Sequence, residues 1–315
     1  MPENIHDKGY KRILSQKAMF LQLLKRFLNN SWLESVEERD LELINKEFIP
    51  TDYQEKEADL VYKISRGDKE CYYVYVLLEL QSKVDYTMPF RLLVYMVELM
   101  KHIFANTPKK ERERKDFRMP PVLPIVLYNG KRPWTAVREF RNYYREGQIF
   151  GERLIDFVYS LIDINAQDES YLLEVNTLLE NIFLLDRSRD RETLERALKL
   201  TARRLKKLER AEQAELAVWV KQVLYKKVGK EGNEELIEEV IEGWKKGDEA
   251  KMTYGIEVAF DHERQEGRKE GRQEGRKEGI EQVAKELLAL NIDIETIKKA
   301  TGLEVEELLK LERKQ

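Results

Sequence analysis

The spacing of hydrophobic residues changes along the first half of the chain and predicts alternating helices and strands. Hydrophobic residues recur every three or four positions over residues 6–29, which predicts a helix. Two β-rich runs, 58–64 and 72–81, flank the turn segment SRGDKE and predict a hairpin. A further helix is predicted for MPFRLLVYMVELMKHIFAN, with Pro89 in its first turn, and PPVLPIVLYNG and LIDFVYSLIDIN predict later strands. This order predicts an α/β or α+β domain built around a mixed sheet.

The second half of the chain has a helical pattern almost throughout. Amphipathic stretches such as ETLERALKLTARRLKKL are typical of helices packed on a core. The change of pattern places a boundary near residues 165–170 and predicts a first domain over 1–167. A helical region over 168–260, a Glu-Gly repeat over 261–280 and a small helical tail over 281–315 are then expected to follow.

The Glu-Gly repeat has two interpretations that the sequence leaves open. Glycine recurs every four residues at Gly267, Gly271, Gly275 and Gly279. Each glycine costs a helix about 1 kcal/mol relative to alanine, which favours a flexible charged linker. The same spacing aligns the glycines in one stripe, where a second helix could approach in a right-handed crossing. The second interpretation predicts a homodimer through the repeat.

The predicted strand 72–81 ends with two polar side chains on one face. Glu79 and Gln81 are two residues apart and therefore project in the same direction, whereas the opposite face is aliphatic. Counting outward from the SRGDKE turn, Ile64 faces residue 72 or 73, and Asp59 lies opposite Val76 to Leu78. A modest stagger or a β-bulge would bring Asp59 within reach of Glu79.

Two carboxylates at one end of a sheet repel each other unless a cation lies between them. Mg²⁺ takes one or two carboxylates, a main-chain carbonyl such as that of Leu80, and several waters. Gln81 would then orient a water molecule or a phosphate. The alternative is a pair of ordinary strand-end carboxylates, with Glu79 bound to Lys63 or Arg91.

Composition narrows the class of protein. The 315 residues include 56 Lys and Arg against 59 Asp and Glu, so no overall basic excess indicates nucleic-acid binding. The single cysteine and three scattered histidines exclude a disulfide framework and a Cys-rich zinc site. No signal-peptide pattern or apolar run of transmembrane length is present, which predicts a soluble, cytoplasmic protein with no membrane partner.

One spacing resembles the D…ExK signature of the PD-(D/E)XK nuclease superfamily. It consists of Asp59, nineteen further residues and then Glu79-Leu80-Gln81, with glutamine in the lysine position. The chain is similar to the Rpn family of recombination-promoting nucleases, also described as putative transposases. The similar segments are HDKGYKRILS, EADLVYKI, YVLLELQSKVDYTMPFRLLVYMVEL, PIVLYNGKRPW, LIDIN, the Glu-Gly repeat and the tail.

The resemblance implies an α/β fold with a PD-(D/E)XK-like nuclease core, a mixed sheet flanked by helices, followed by an all-α C-terminal region. It also implies a DNA endonuclease dependent on Mg²⁺ or Mn²⁺. Asp59 and Glu79 would be metal ligands and Gln81 an auxiliary catalytic residue. Replacement of the lysine by Gln81 favours a second hypothesis, a weak or inactive nuclease-fold protein acting as an interaction or DNA-binding scaffold.

Two pairs of residues are candidates for supporting roles. Asp7 and Lys11 lie one helical turn apart, and Asp7 could face metal-bound water while Lys11 reaches a phosphate. The alternative is an ordinary surface pair. Lys131 and Arg132 follow a predicted Asn-Gly turn, where they either contact a DNA phosphate or remain solvated.

Arg91 and Tyr95 form a third candidate pair on the helix after the candidate catalytic strand. Their four-residue spacing would let them bracket a DNA phosphate. Arg91 could equally be a structural partner of Glu79 or Asp85. The tail has the size of a helix-turn-helix unit, but its second helix carries few basic residues, so we do not expect it to read DNA bases.

Overall fold

A computed structural model describes residues 5–28, 30–44, 60–65, 74–174, 176–229, 232–290 and 292–312. The chain forms two compact units, one comprising Met1–Val223 and Trp244–Gly247, the other Leu224–Gly243 and Asp248–Gln315. The strands are β1 (Leu41–Leu43), β2 (Leu60–Ile64), β3 (Val74–Gln81), β4 (Val122–Tyr128) and β5 (Ser160–Asp163). The helices are α1 (Ile5–Leu14), α2 (Lys17–Phe27), α3 (Met88–Asn106), α4 (Lys109–Arg112), α5 (Gly147–Phe150), α6 (Glu169–Glu174), α7 (Leu178–Asp186), α8 (Arg191–Leu205), α9 (Arg210–Val228), α10 (Glu234–Lys246), α11 (Glu249–Ala289), α12 (Ile294–Thr301) and α13 (Val305–Glu312).

The five strands form one mixed sheet in the order β1-β2-β3-β4-β5. The β1–β2 and β2–β3 pairs are antiparallel, whereas β3, β4 and β5 run parallel to one another. Parallel neighbours need a long connection, and α3 lies between β3 and β4 in the chain. The mixed sheet with flanking helices, followed by a helical C-terminal region, confirms the predicted fold class. Strand β1 is an addition, because its three residues are too few to show an alternating pattern.

The hairpin register differs from the one counted on the sequence. Ile64 pairs with Val74, and Leu60 pairs with Leu78. The predicted pairing of Ile64 with residue 72 or 73 is therefore wrong by one to two residues. The count took SRGDKE as the turn, and residues 66–73 lie outside the described part of the structure. Neither a stagger nor a bulge is needed to bring the start of β2 close to Glu79.

Helices cover both faces of the sheet in the first unit. On one face, the Phe20 ring of α2 stacks on Tyr62 with 4.0 Å between centroids. The Tyr62 hydroxyl donates a hydrogen bond to the Leu14 carbonyl at 3.0 Å. On the other face, α3 packs against Val61 and Val126. Burial on both faces explains why the central strands are almost continuously apolar.

The first unit extends past the boundary predicted near residues 165–170, because α7 is buried on nearly all sides. Phe183 of α7 packs against Phe27 of α2 at 5.4 Å between ring centroids. The buried Glu180 on the same helix forms an ion pair with Arg26, with 3.5 Å between Oε1 and Nε. A helix that is apolar on every side is normally buried on every side, and these contacts with α2 bury part of α7.

In the second unit, the Glu-Gly repeat is part of α11, a continuous helix of 41 residues. A Cβ atom added at any of the four repeat glycines would meet nothing within 4 Å. The first of the three predicted tail helices is the C-terminal end of α11. This end packs with α12 and α13 through Ala284, Ile297 and Leu308. Within the described ranges, no helix combines the length and apolarity needed to cross a bilayer.

The same substitution should have opposite effects at two glycines. A Cβ at Gly9 would lie 2.6 Å from Cζ3 of the buried Trp219, whereas Gly267 faces open space. We expect Gly9→Ala to lower the free energy of unfolding by about 1–3 kcal/mol, through overpacking. Gly267→Ala should stabilise α11 locally by up to about 1 kcal/mol. Urea unfolding and amide hydrogen exchange would measure the two effects, and a stable Gly9→Ala protein would contradict this packing.

Candidate active site at the end of strand β3

Glu79 is a buried carboxylate near the end of β3. Its side chain is 1% exposed, and it pairs in register with Val126 of the parallel strand β4. Val126 belongs to the core cluster under α3, so Glu79 projects toward that helix. Burial of a charged carboxylate costs several kcal/mol unless a cation and hydrogen bonds compensate it.

Arg91, in the first turns of α3, supplies the compensating charge. Its Nη2 donates to Glu79 Oε2 at 3.1 Å, and its Nη1 donates to Asp85 Oδ2 at 2.7 Å. The other oxygen of Asp85 accepts hydrogen bonds from the backbone N–H and hydroxyl of Thr87, directly before α3. Pro89 in the first turn fixes the start of the helix. These contacts hold the guanidinium against the strand.

Arg91 and Asp85, two of the three groups of this ion cluster, are charged at neutral pH. Burial alone would lower the pKa of Arg91, but the charge of Glu79 and the hydrogen bond to Asp85 raise it above its usual range. Burial would raise the pKa of Asp85, but hydrogen bonds from Thr87 and Arg91 hold it below its usual value. One guanidinium therefore lies between two carboxyl groups and binds both.

Gln81 lies beside Glu79, as their spacing predicts. Its Nε2 donates to Glu79 Oε2 at 3.4 Å. Lys63, one of the two partners that the sequence offered for Glu79, forms an ion pair with Glu42 at 3.5 Å. The observed pairing with Arg91 is the other alternative.

Arg91 and Tyr95 lie close together on α3, and their contact with a DNA phosphate stays a prediction. Tyr95 is buried in the core cluster under α3. Arg91 Nη2 donates to its hydroxyl at 3.4 Å. Arg91 binds both Glu79 and Asp85, which is the structural role given as the alternative.

A second polar network lies at the same edge of the sheet, where β3, β4 and β5 end in register. The backbone N–H of Asn129 donates to the Gln81 carbonyl at 3.0 Å. Asn129 Nδ2 and the Tyr10 hydroxyl both donate to Asp186 Oδ2, each at 2.9 Å. This network fixes α1 beside the end of β3. Asp186 was not among the predicted site residues, because in sequence it is only a polar residue at the end of an apolar helix.

The four remaining supporting candidates occupy exposed or partly described positions. Asp7 and Lys11 are both in α1; Lys11 is exposed, and the side chain of Asp7 lies outside the described part of the structure. Lys131 and Arg132 are exposed just after β4. The Tyr128 hydroxyl donates to the Arg132 carbonyl at 2.6 Å and so fixes this turn. The placement permits phosphate contact and solvation alike.

The oxygen donors at this strand end are of the type that a hard divalent cation binds, but the described residues supply too few of them. The carboxylate of Glu79 and the main-chain carbonyl of Leu80 are oxygen donors of the kind that Mg²⁺ and Mn²⁺ bind. Asp59 lies outside the described residues, directly before Leu60, the partner of Leu78. The described residues contain no group of three or more His, Cys, Asp or Glu able to hold a metal ion. A metal site here would therefore need Asp59.

The ion pair can be tested by a double-mutant cycle. Arg91→Ala should lower the free energy of unfolding by about 3–5 kcal/mol, because it leaves a buried carboxylate without its cation. Combining it with Glu79→Gln should recover part of this loss. Urea unfolding at pH 7 measures each variant, with Glu42→Gln as the control for an exposed strand carboxylate. Strictly additive losses would contradict a direct pairing of Glu79 with Arg91.

Comparison with known proteins identifies the family of the chain. The family model described as "Putative transposase, YhgA-like" matches residues 4–216, a range that includes all five strands and the ion cluster. Recombination-promoting nuclease RpnD of Escherichia coli O157:H7 is 23% identical over 192 residues, covering 59% of this chain and 69% of that protein. No solved structure matches the chain. Because the family model covers more than half of the chain, the protein belongs to the YhgA-like family of putative transposases, which confirms the resemblance to recombination-promoting nucleases.

Proposed function

We propose that the protein is a metal-dependent DNA endonuclease of the recombination-promoting type. The observation that carries the proposal is Glu79, a carboxylate buried at the end of β3 beside Gln81. These are the positions that the D…ExK resemblance assigns to catalysis. The family and the relative named as a nuclease support a nuclease-type enzyme, whereas the mechanism below is our own inference.

In this proposal Asp59, Glu79 and the carbonyl of Leu80 hold Mg²⁺ or Mn²⁺. A bound divalent cation would activate a water molecule and offset charge on the scissile phosphate. Gln81 contributes by orientation, because an amide donates and accepts hydrogen bonds but does not carry a proton at neutral pH. Arg91 is a positioning residue that fixes one oxygen of Glu79, and its Nη1 is held by Asp85.

DNA is the proposed substrate, and exposed cations near the strand ends would position it. Lys131 and Arg132 after β4 would contact the phosphate backbone, which orients DNA without reading its sequence. Lys11 on α1 would reach a phosphate, and Asp7 would face the water. The hydrogen bond from Tyr10 to Asp186 supports this assignment, because it holds α1 at the same edge of the sheet as Gln81.

A second copy of the chain is a proposed partner through the Glu-Gly repeat. Open space at all four repeat glycines would let another helix approach α11 closely. Cleavage of both DNA strands needs two active sites, which a dimer supplies.

The second candidate function is a catalytically weak or inactive scaffold that binds DNA or another partner. One observation favours it: Glu79 Oε2 already accepts hydrogen bonds from Arg91 and Gln81. A cation at Glu79 would compete with that ion pair. The absence of lysine at position 81 points the same way.

Nicking of supercoiled plasmid separates the two functions. The purified protein should nick the plasmid with Mg²⁺ or Mn²⁺ and not with EDTA. Glu79→Gln and Asp59→Asn should each lower the rate by about 10²-fold or more, since each removes a group that stabilises charge in the transition state. Glu42→Gln, an exposed carboxylate of the same sheet, should leave the rate unchanged.

The outcomes lead to different conclusions. DNA binding without any metal-dependent nicking by folded wild-type protein would favour the scaffold. Nicking that persists unchanged in both Glu79→Gln and Asp59→Asn would assign the activity to another site or to a contaminant. Circular dichroism of each variant shows whether a lost activity reflects lost folding.

A further inference from the structure

A cavity of about 220 Å³ lies in the first unit, between the end of β5 and the junction of α7 with α8. Three of its lining side chains are buried: Leu184, Ser188 and Ala197. Two others, Arg189 and Arg196, are exposed and form its rim. The volume is below the range of about 300–1,000 Å³ for pockets that hold whole small molecules, so the cavity suits a single chemical group.

Arg187, the third arginine of the lining, is half-buried and has no hydrogen-bond or ion-pair partner for its guanidinium in the described part of the chain. Its Nη1 is buried and meets no acceptor. By contrast, the guanidinium of Arg26 in the same unit forms an ion pair with the buried Glu180. Burial raises the pKa of Asp163, and the charge of Arg187 opposes that rise without a direct contact. A guanidinium taken out of water needs acceptors, so Arg187 has donors and a charge that an anion from outside the chain would satisfy.

The carboxylates that line the cavity do not cancel the charge of its arginines. Asp190 accepts a hydrogen bond from the backbone N–H of Thr193 at 2.9 Å, where it caps α8. Glu169 is exposed to solvent. The lining therefore holds three arginines and two carboxylates, an excess of one positive charge. Outside the lining, Glu192 pairs with Arg196 at 3.4 Å, which leaves the other two arginines for a ligand.

Asn165 connects the cavity to the strand ends of the candidate active site. It lines the cavity, and its Nδ2 donates to the carbonyls of Asn129 and Gly130 at 3.2 and 3.0 Å. The backbone N–H of Asn129 in turn binds the Gln81 carbonyl. Two strand spacings separate β5 from β3, so the end of β5 beside the cavity lies about 10 Å from the end of β3.

We propose that this cavity binds a phosphate group. The planar guanidinium of arginine presents paired donors that match the oxygens of a phosphate. Arg187 would bind the group within the cavity, and Arg189 would bind it from the rim. The first N–H groups of α8, the helix whose start lines the cavity, would add partial positive charge.

The source of the phosphate rests on the proposed function, in which it belongs to the backbone of the DNA substrate. A separation of about 10 Å from the end of β3 corresponds to about three nucleotides, at about 3.4 Å per nucleotide along the duplex axis. A phosphate contact there would position the DNA strand without reading its sequence. The cavity would thus extend the phosphate contacts proposed for Lys131 and Arg132 to a second strand end.

Inorganic phosphate tests the cavity itself, on the full chain. The wild type should melt about 2–4 °C higher in about 100 mM phosphate than in chloride of equal ionic strength, because a ligand that binds only the folded chain stabilises it. Arg187→Gln and the exposed Arg189→Gln should each lose most of that shift. Arg39→Gln is the matched control, since it removes an exposed arginine that pairs with Glu37 just before β1, the strand at the opposite edge of the sheet. Any general effect of phosphate on protein surfaces acts on all variants alike.

A DNA duplex tests the source of the phosphate. Fluorescence anisotropy in EDTA measures binding without cleavage, between about 50 and 200 mM salt. Each phosphate contact contributes about 0.9 to the slope of log K against log salt concentration. Arg187→Gln should make that slope shallower by about this amount, whereas Arg39→Gln should keep the slope of the wild type.

Each combination of results decides the proposal. Equal phosphate shifts in the wild type, Arg187→Gln and Arg189→Gln would overturn it. A lost shift with a shallower salt slope supports the phosphate site and DNA as its source, whereas a lost shift with an unchanged slope supports the site and assigns it to a free phosphate compound. Because neither readout requires cleavage, a protein that fails to nick plasmid would contradict the proposed function and leave the phosphate site standing.

Discussion

The ion pair between Glu79 and Arg91 is the constraint on which the arrangement of the nuclease-like unit depends. A carboxylate on a central strand can be buried only with a cation beside it, and here that cation comes from the first turns of α3. The requirement fixes where α3 begins, how it lies on the sheet and which residues it turns inward. Asp85, which binds both Thr87 and the same guanidinium, ties the end of β3 to the start of the helix.

This constraint also gives Glu79 two functions that compete. As a structural anion it binds Arg91, and as a proposed metal ligand it would share its oxygens with a cation. The two functions are compatible if Arg91 holds one oxygen while Asp59 and the Leu80 carbonyl complete the metal site. Enzymes commonly place charged, partly strained groups at their active sites at some cost in stability. The neighbouring network of Asn129, Tyr10 and Asp186 then fixes the strand end and α1 around the same point.

The helices that cover the two faces of the sheet are themselves buried to different extents. Helices α1 and α2 on one face are themselves covered by α7, whereas α3 leaves an apolar stripe exposed on the other face. A helix that is apolar on both sides is normally buried on both sides. The glycine stripe of α11 is the proposed contact between copies, based on close backbone approach.

The sequence by itself determined the elements and the residue pairs that lie close in the chain. The bounds of α3 follow from its apolar run and Pro89, and the adjacency of Glu79 and Gln81 follows from the two-residue period of a strand. Both features depend on local geometry alone. The tertiary structure decided the rest. The register of β2 on β3 depends on which backbone groups of the two strands pair, and the choice of Arg91 for Glu79 depends on how α3 crosses the sheet. Tyr95 is buried because α3 packs on the sheet, and α7 is covered by α2. No local spacing encodes which distant surfaces meet.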